Sequence, residues 1–392
     1  MSKRESITKE IGFLNYYIIY HYIYIIDTWQ FVASSNQKRI DIHKLYNKMK
    51  EEKRRIQLTG GSTFTVSLPI KWAKEVGIKR GDELSLVQRS DNSLIVTPVR
   101  DKKEQIKSAE LVLSEQESFE GNFRCIIAHY LVGYDIVKLL FPDGFGADER
   151  KRIKGEVRKR LIGMEVVGES AGEIVLKSFL KYEDFTLRDA IRSMSKIILS
   201  MQEDAITSLD KRDSNLAADV VERDNEIDRF YLLIVRQLKA AMNDSELAKK
   251  IGVGRQRDSL GHRIIVKSME RIGDHVENIA KNSMMMTLPA GFNCLDGIKE
   301  VGVSAKNLFI KTLASLSDLD IEKANEAIND ANILTDAVEA INERILAEEW
   351  SVNDKIHTLS ILVSLGRMAK YCEDIAEVTI NMGVSVAGEL RL

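Results

Sequence analysis

From Phe185 to Leu392 the chain holds one proline, Pro289, of only four in all. A proline inside a helix costs about 3 kcal/mol, so so long a run almost without one favours helix. Pro289 divides the run into two stretches of similar length, and each falls into three patterned segments. The first three run roughly from Thr186 to Leu209, Asn215 to Met242 and Asp258 to Met286; the second three run from Asn293 to Leu316, Ile321 to Leu346 and Asn353 to Met382. The third segments align: RIGDHVENIA from Arg271 faces RMAKYCEDIA from Arg367, sharing the arginine, the pair Glu277 and Glu373, and Ile-Ala. The pattern predicts two tandem three-helix units produced by duplication.

Charge separates this region from what precedes it. The chain has 392 residues with a formal charge of -2, which excludes a uniformly basic nucleic-acid coat or an acidic disordered chain. Lys50 to Lys103 nevertheless carries 12 Lys and Arg against 7 Asp and Glu, whereas Glu104 to Leu392 carries 38 against 48. A basic module ahead of an acidic one directs the search to nucleic acid at one end and a cation at the other. The three cysteines, Cys125, Cys294 and Cys372, lie far apart in sequence and form no C-x-x-C, so neither a disulfide framework nor a zinc cage is encoded. A reducing cytoplasm is the expected location.

The first 48 residues include IGFLNYYIIYHYIYII, an apolar run too short and too polar for a bilayer span and without a signal-peptide cleavage site. Met49 stands just before a well-patterned module. Residues 1–48 read either as an extension from a start codon set too far upstream or as an amphipathic anchor or partner-binding segment.

Within 49–103, Ile56 and Leu58 before Gly60-Gly61, and Phe64, Val66 and Leu68 after, alternate as in a hairpin. A short helix from Lys71 to Val76 and two further strands follow. Four short strands in so few residues enclose too little core for a monomer, which predicts dimerisation. The string QLTGGSTFTVSLPIKWAKEVGIKRGDELSLV, with Leu68-Pro69, Gly77-Ile78 and Gly81-Asp82 in order, resembles the AbrB/SpoVT-type swapped-hairpin DNA-binding domain. The resemblance implies an interdigitated homodimer that presents basic residues to DNA. Lys53, Arg54 and Arg55, with Lys71, Lys74, Lys79 and Arg80, are the candidate phosphate contacts, against the alternative of ordinary solvating charges.

Residues 104–183 read as a connecting α/β domain: a strand in SAELVL, a helix from Phe123 to Leu140, a charged helix from Asp148 to Leu161, and a hairpin turning at Ala171-Gly172. The basic run from Arg150 to Arg160 is most simply a solvated helix face, with DNA or an anionic ligand as the other readings.

Residues 184–288 and 289–392 are the two helical repeats. The first carries Asp224 and Asp228, and Glu270 and Asp274, each pair at i and i+4 and so on one helix face. Like charges at this spacing destabilise a helix by a few tenths of a kcal/mol, and a cation between two such helices would reverse that sign. Solvated faces would also carry such pairs. An all-carboxylate site leaves Fe, Zn, Mn, Mg and Ca chemically open. Asp224-x-x-x-Asp228 and ERIGDHVENIA resemble the PhoU family, whose two three-helix repeats carry Glu/Asp-x-x-x-Asp motifs able to hold a divalent or trivalent metal ion. In the second repeat the equivalent positions are Gly366 and Lys370, with Thr335 and Glu339 nearest on the preceding helix, so a metal is expected in the first repeat only. The overall expectation is a multidomain chain: a small all-β swapped-hairpin domain, a small α/β linker domain and an all-α PhoU-like domain of two tandem three-helix bundles.

The resemblances imply a regulator of phosphate uptake and phosphate homeostasis that binds DNA, alternatively an adaptor that contacts a phosphate ABC transporter or signalling protein without binding DNA. An enzymatic diiron or dimanganese oxidase would need Glu-x-x-His pairs, and none is present. P-loop, nucleophile-elbow and H-E-x-x-H signatures are also missing, so no catalysis is expected. His275, one position past Asp274, turns about 100° away from it and reads as a surface or supporting residue.

Overall fold

The computed structural model describes residues 52–88, 92–99, 106–114, 116–141, 146–288 and 295–389, so the readings on residues 1–48, Met49 and Cys294 lie outside the described residues. The chain divides into two compact units, Met1–Lys103 and Glu104–Leu392.

In the first unit β1 (Gln57–Thr59) and β2 (Thr63–Thr65) form an antiparallel hairpin in which Leu58 faces Phe64. Pro69 then opens a one-and-a-half-turn helix, α1 (Ile70–Glu75). Strands β3 (Leu84–Gln88) and β4 (Leu94–Pro98) make a second antiparallel pair. Asp82 closes the turn between helix and strand by accepting the Lys79 backbone N–H at 2.8 Å. Not one described residue of this unit is buried.

The second unit begins with a four-stranded sheet in the order β5-β6-β8-β7. Strand β5 (Ser108–Val112) leads into α2 (Phe119–Val132), and β6 (Ile136–Leu140) returns parallel to β5. Here the expectation of one helix from Phe123 to Leu140 is corrected. Gly133 takes the left-handed conformation (φ 96°) that ends the helix, and Ile136 to Leu140 then alternates buried and half-buried positions as a strand. The result is a βαβ crossover, followed by α3 (Ala147–Arg160) and the hairpin β7 (Met164–Glu169) and β8 (Glu173–Ser178). Leu113, Phe123, Ile126, Val137, Leu139 and Val157 belong to its core.

Two three-helix sets follow: α4 (Leu187–Lys211), α5 (Ser214–Asn243) and α7 (Asp258–Met285), then α8 (Asp296–Asp318), α9 (Ile321–Ala347) and α10 (Val352–Glu389). Three of the starts are fixed by capping side chains. Thr186 and Asp189 form a capping box on α4, Asp213 accepts the Asn215 and Leu216 N–H groups of α5, and Asp320 accepts that of Lys323 in α9. A short helix, α6 (Ser245–Lys250), was not legible in the pattern, because its six residues make fewer than two turns and leave no repeat of an apolar face to read. The third helices of the two sets, α7 and α10, pack on each other and centre a single core that joins both repeats. Helices α2 and α3 lie against α5, which fixes the α/β part to the first repeat.

Candidate functional site: an acidic helix pair and a basic hairpin module

The acidic site is built by the approach of α5 to α7. At Gly273 a Cβ would stand 2.6 Å from Ile227 Cδ1 and 3.5 Å from Asp224 Oδ1, so only glycine lets the two helices come this close. That approach brings the i, i+4 pairs of both helices together. Burial, then the charges of Asp228, Glu277 and Glu270, pushes the Asp224 carboxyl up to about 7. Burial and the neighbouring Glu270 and Asp224 likewise push Asp274 up to about 7, although its residue surface stays open to solvent on one side. Asp228 is raised by burial and by Glu270, with Arg160 and Lys267 acting in the opposite direction. Glu270 is the deepest of the four, 8% exposed, and Lys267 Nζ donates to its Oε1 at 2.6 Å.

All four residues named from the sequence therefore act on one another. A fifth carboxylate, Glu277, joins them through its charge on Asp224 and Asp228 and is itself paired with Lys281 at 2.6 Å. Its place three residues after Asp274 puts it on the same helix face, but spacing alone does not separate it from a solvated carboxylate. Arg160, read as part of a solvated run, is the other addition, since it places the α/β part's positive charge near Asp228. The rest of that run mostly turns back on its own unit: Arg152 pairs with Glu120, Lys154 with Glu169, and Arg150 donates to the Ala171 carbonyl.

Five carboxylates against Lys267, Lys281 and Arg160 leave excess negative charge supplied only by oxygen donors, which fits a hard cation. The cage is not closed: among the described residues no group of three or more His, Cys, Asp or Glu side chains converges on a metal position. Glu270 is turned to the Lys267 ammonium instead. In the second repeat Lys370 Nζ donates to Asn332 Oδ1 at 3.2 Å and to Glu373 Oε2 at 2.7 Å, bridging α9 and α10 with a built-in cation. Thr335 donates to the Ala331 carbonyl of its own helix. His275 stacks on Tyr371 of α10 at 5.7 Å, and burial with Arg367 and Arg271 nearby pushes its pKa down to about 4. It thus belongs to the contact between repeats rather than to the carboxylates.

On the first unit Lys53, Arg54, Arg55, Lys71, Lys74, Lys79 and Arg80 are all exposed. Arg54 pairs with Glu52. Arg55, Lys71, Lys74, Lys79 and Arg80 make no side-chain ion pair with a described residue, which leaves them available to an anion.

Residues 57–104 match the family described as antidote-toxin recognition MazE, bacterial antitoxin, and residues 191–283 match the PhoU domain. Among curated proteins, the phosphate-specific transport system accessory protein PhoU homolog of Xylella fastidiosa is 23% identical over 207 residues, covering 52% of this chain and 84% of that protein. The protein of the same description from Pseudomonas aeruginosa is 25% identical over 128 residues, covering 32% of this chain and 50% of its own length. Among solved structures, the phosphate transport system regulatory protein PhoU from Streptococcus pneumoniae aligns with TM-score 0.43 at 18% identity, over 50% of this chain and 91% of that one. PhoU from Pseudomonas aeruginosa aligns with TM-score 0.42 at 18% identity, over 51% and 97%. The acidic residues of α5 and α7 all fall inside the matched PhoU segment, and the exposed basic residues lie in or beside the matched antitoxin segment. Within its helical unit the chain is thus similar to the PhoU domain over residues 191–283 and, ahead of it, to the MazE antitoxin family over residues 57–104.

Proposed function

We propose that this chain is a regulator of phosphate uptake that binds DNA as a dimer through its basic module and holds a divalent or trivalent metal ion at the acidic helix pair. The observation that carries the reading is the union in one polypeptide of a PhoU domain with a basic hairpin module whose apolar strand faces stay open. Proteins of the PhoU description are named for phosphate transport. A covalently attached DNA-binding module would let the same domain act on transcription directly.

Phosphate contacts supply most of the affinity of such a module, through Lys53, Arg54 and Arg55 with Lys71, Lys74, Lys79 and Arg80. At the acidic site Asp224, Asp228, Glu270 and Asp274 would hold the cation, whose charge offsets their repulsion; Glu270 must then leave Lys267. Glu277 adds charge to the cluster without being required as a ligand. None of this calls for catalysis.

The test is DNA binding by the full chain and by a Lys53→Ala/Arg54→Ala/Arg55→Ala variant across a salt series, with the gene's own upstream region as one duplex. Affinity should fall steeply with salt, and the variant should bind more weakly with a shallower slope, by about one unit per lost phosphate contact. Absence of binding at low salt by either form, with and without metal, would sink the transcriptional reading. The chain would then be an adaptor for a phosphate transporter or signalling protein.

A further inference from the structure

A cleft of about 720 Å³ opens between the start of α4, the turn ahead of α7, and the ends of α8 and α10. Its volume lies within the range of small-molecule sites, and it belongs neither to the acidic helix pair nor to the basic module. Its walls come from both repeats. The apolar surface is Ile191 and Leu199 of α4, Leu313 and Leu316 of α8, and Met382 of α10. Along one edge stand Arg188, Arg192 and Lys196. They are spaced i, i+4, i+8 on α4, so they form a line about 12 Å long on one helix face.

The charge of this cleft is one-sided. Arg188, Arg192 and Lys196 are exposed, and none of them forms an ion pair or side-chain hydrogen bond with a described residue. Asp189, beside them in sequence, is held in the helix cap by the Thr186 hydroxyl at 2.6 Å. The one acid in the lining, Asp258, is engaged by Arg255 through two contacts of 3.0 Å, so that pair adds no net charge. His262 Nδ1 donates to the Asp258 carbonyl, 2.9 Å away, and burial favours its neutral form. An apolar floor with three cations on its rim, against the single capping carboxylate of Asp189 whose pKa Arg192 and Arg188 help to lower, matches a ligand that is apolar at one end and anionic at the other.

We propose that this cleft binds an amphiphilic anion: an apolar body of small-molecule size seated on Ile191, Leu199, Leu313, Leu316 and Met382, with a phosphate or carboxylate group on Arg188, Arg192 and Lys196. Such a ligand touches both repeats at once and so ties their packing together. The inference does not depend on DNA or metal binding.

The test is titration calorimetry on the full chain with dodecyl phosphate kept below its micelle-forming concentration. Inorganic phosphate and dodecyl maltoside test the charge and the apolar body separately. The expected result is saturable binding of one dodecyl phosphate per chain, weakened about tenfold or more in an Arg188→Gln/Arg192→Gln/Lys196→Gln variant. Ser317→Trp, which fills the cleft from an exposed position, should weaken it as well, while Lys53→Ala/Arg54→Ala/Arg55→Ala should leave it unchanged. Circular dichroism and the thermal midpoint verify that the variants fold. Several results would overturn the proposal: no binding, equal binding by the triple glutamine variant, equal binding of dodecyl maltoside, or equal binding of inorganic phosphate. Capture of an acidic amphipathic peptide, with dodecyl phosphate refused, would instead make the cleft a protein-docking groove and equally overturn the small-molecule assignment.

Discussion

Arg236 shows how much one residue can decide. It sits in the C-terminal third of α5 and is 1% exposed. Its guanidinium donates to the Tyr130 carbonyl and, at 3.1 Å, to that of Tyr134, and it stands 3.8 Å from the Asp135 carboxylate. Its charged carbon also lies over the Tyr130 ring at 4.8 Å. These groups cap the end of α2, so Arg236 clamps the α/β part to the first repeat. Arg236→Met roughly keeps the volume but removes the buried charged donor to the Tyr130 and Tyr134 carbonyls, which should cost about 1–3 kcal/mol in urea unfolding. A loss below about 0.5 kcal/mol would show that the clamp contributes nothing. Asp354 plays a similar part at the other joint. It is 3% exposed, yet accepts from the Thr287 N–H at 2.6 Å, the Thr287 hydroxyl at 2.7 Å and the Ser351 hydroxyl at 2.6 Å. Burial alone would raise its pKa; the hydrogen bonds from Ser351 and Thr287 outweigh burial and hold it below the usual carboxylate value. A depressed acid stabilises the fold above its unfolded pKa and loses that contribution as pH falls through the folded one. The stability gap between the parent chain and Asp354→Asn should therefore be constant from about pH 8 to 5 and shrink below about pH 4. A gap that does not change with pH would show that the charge of Asp354 is irrelevant.

At the scale of elements, the pair α5 and α7 holds like charges at close quarters, and this arrangement sets its behaviour. Without metal and at about pH 8.5, above the raised pKa of both groups, Asp224→Asn or Asp274→Asn should raise the thermal midpoint, since each removes one repelling charge; about 1 kcal/mol corresponds to roughly 2–4 °C for a unit of this size. Mn²⁺ should raise the midpoint of the parent chain, by roughly 5–10 °C at a hundredfold excess over its dissociation constant, and should do so much less in the Asp224→Asn/Asp274→Asn variant. Equal shifts in both would place the ion elsewhere. The helices themselves were readable because long amphipathic segments without proline leave few alternatives, and their caps, Thr186, Asp213 and Asp320, are in the sequence. Strand β6 was not readable, because IVKLL is an apolar run that continues a helix as readily as it begins a strand; Gly133 decides the matter through a backbone angle. The i, i+4 carboxylates could be named from spacing alone. Glu277, Arg160 and the Lys267 contact to Glu270 could not, since they depend on which helix faces meet at Gly273.

At the scale of the whole molecule, the two units pose opposite problems. The helical and α/β unit has a continuous core reaching from Leu187 to Met382, and its α/β part has a core of its own. Among its described residues the basic unit has none: Ile56, Leu58, Phe64, Val66, Ile70, Leu86, Leu94 and Val99 are each more than half exposed. Side chains of this kind contribute about 1.5–3 kcal/mol each when fully buried, and a module of four short strands has no interior in which to bury them. In the proposed dimer a second copy would supply the missing surface, because the same open faces recur on it and the contact would close with twofold symmetry. The pair Leu58 and Phe64, opposed across the hairpin, offers the sharpest test. Light scattering on the full chain should give twice the mass of one polypeptide. Leu58→Glu/Phe64→Glu, which sets two carboxylates face to face on that surface, should give a single-chain mass with the helical signal in circular dichroism preserved. If the proposed dimer binds DNA, contacts from two copies would add through one linked binding event, so the same variant should also lose DNA affinity, with Lys53, Arg54 and Arg55 untouched. A variant that stays dimeric would move the interface to the helical unit, and the open strand faces would then need another partner.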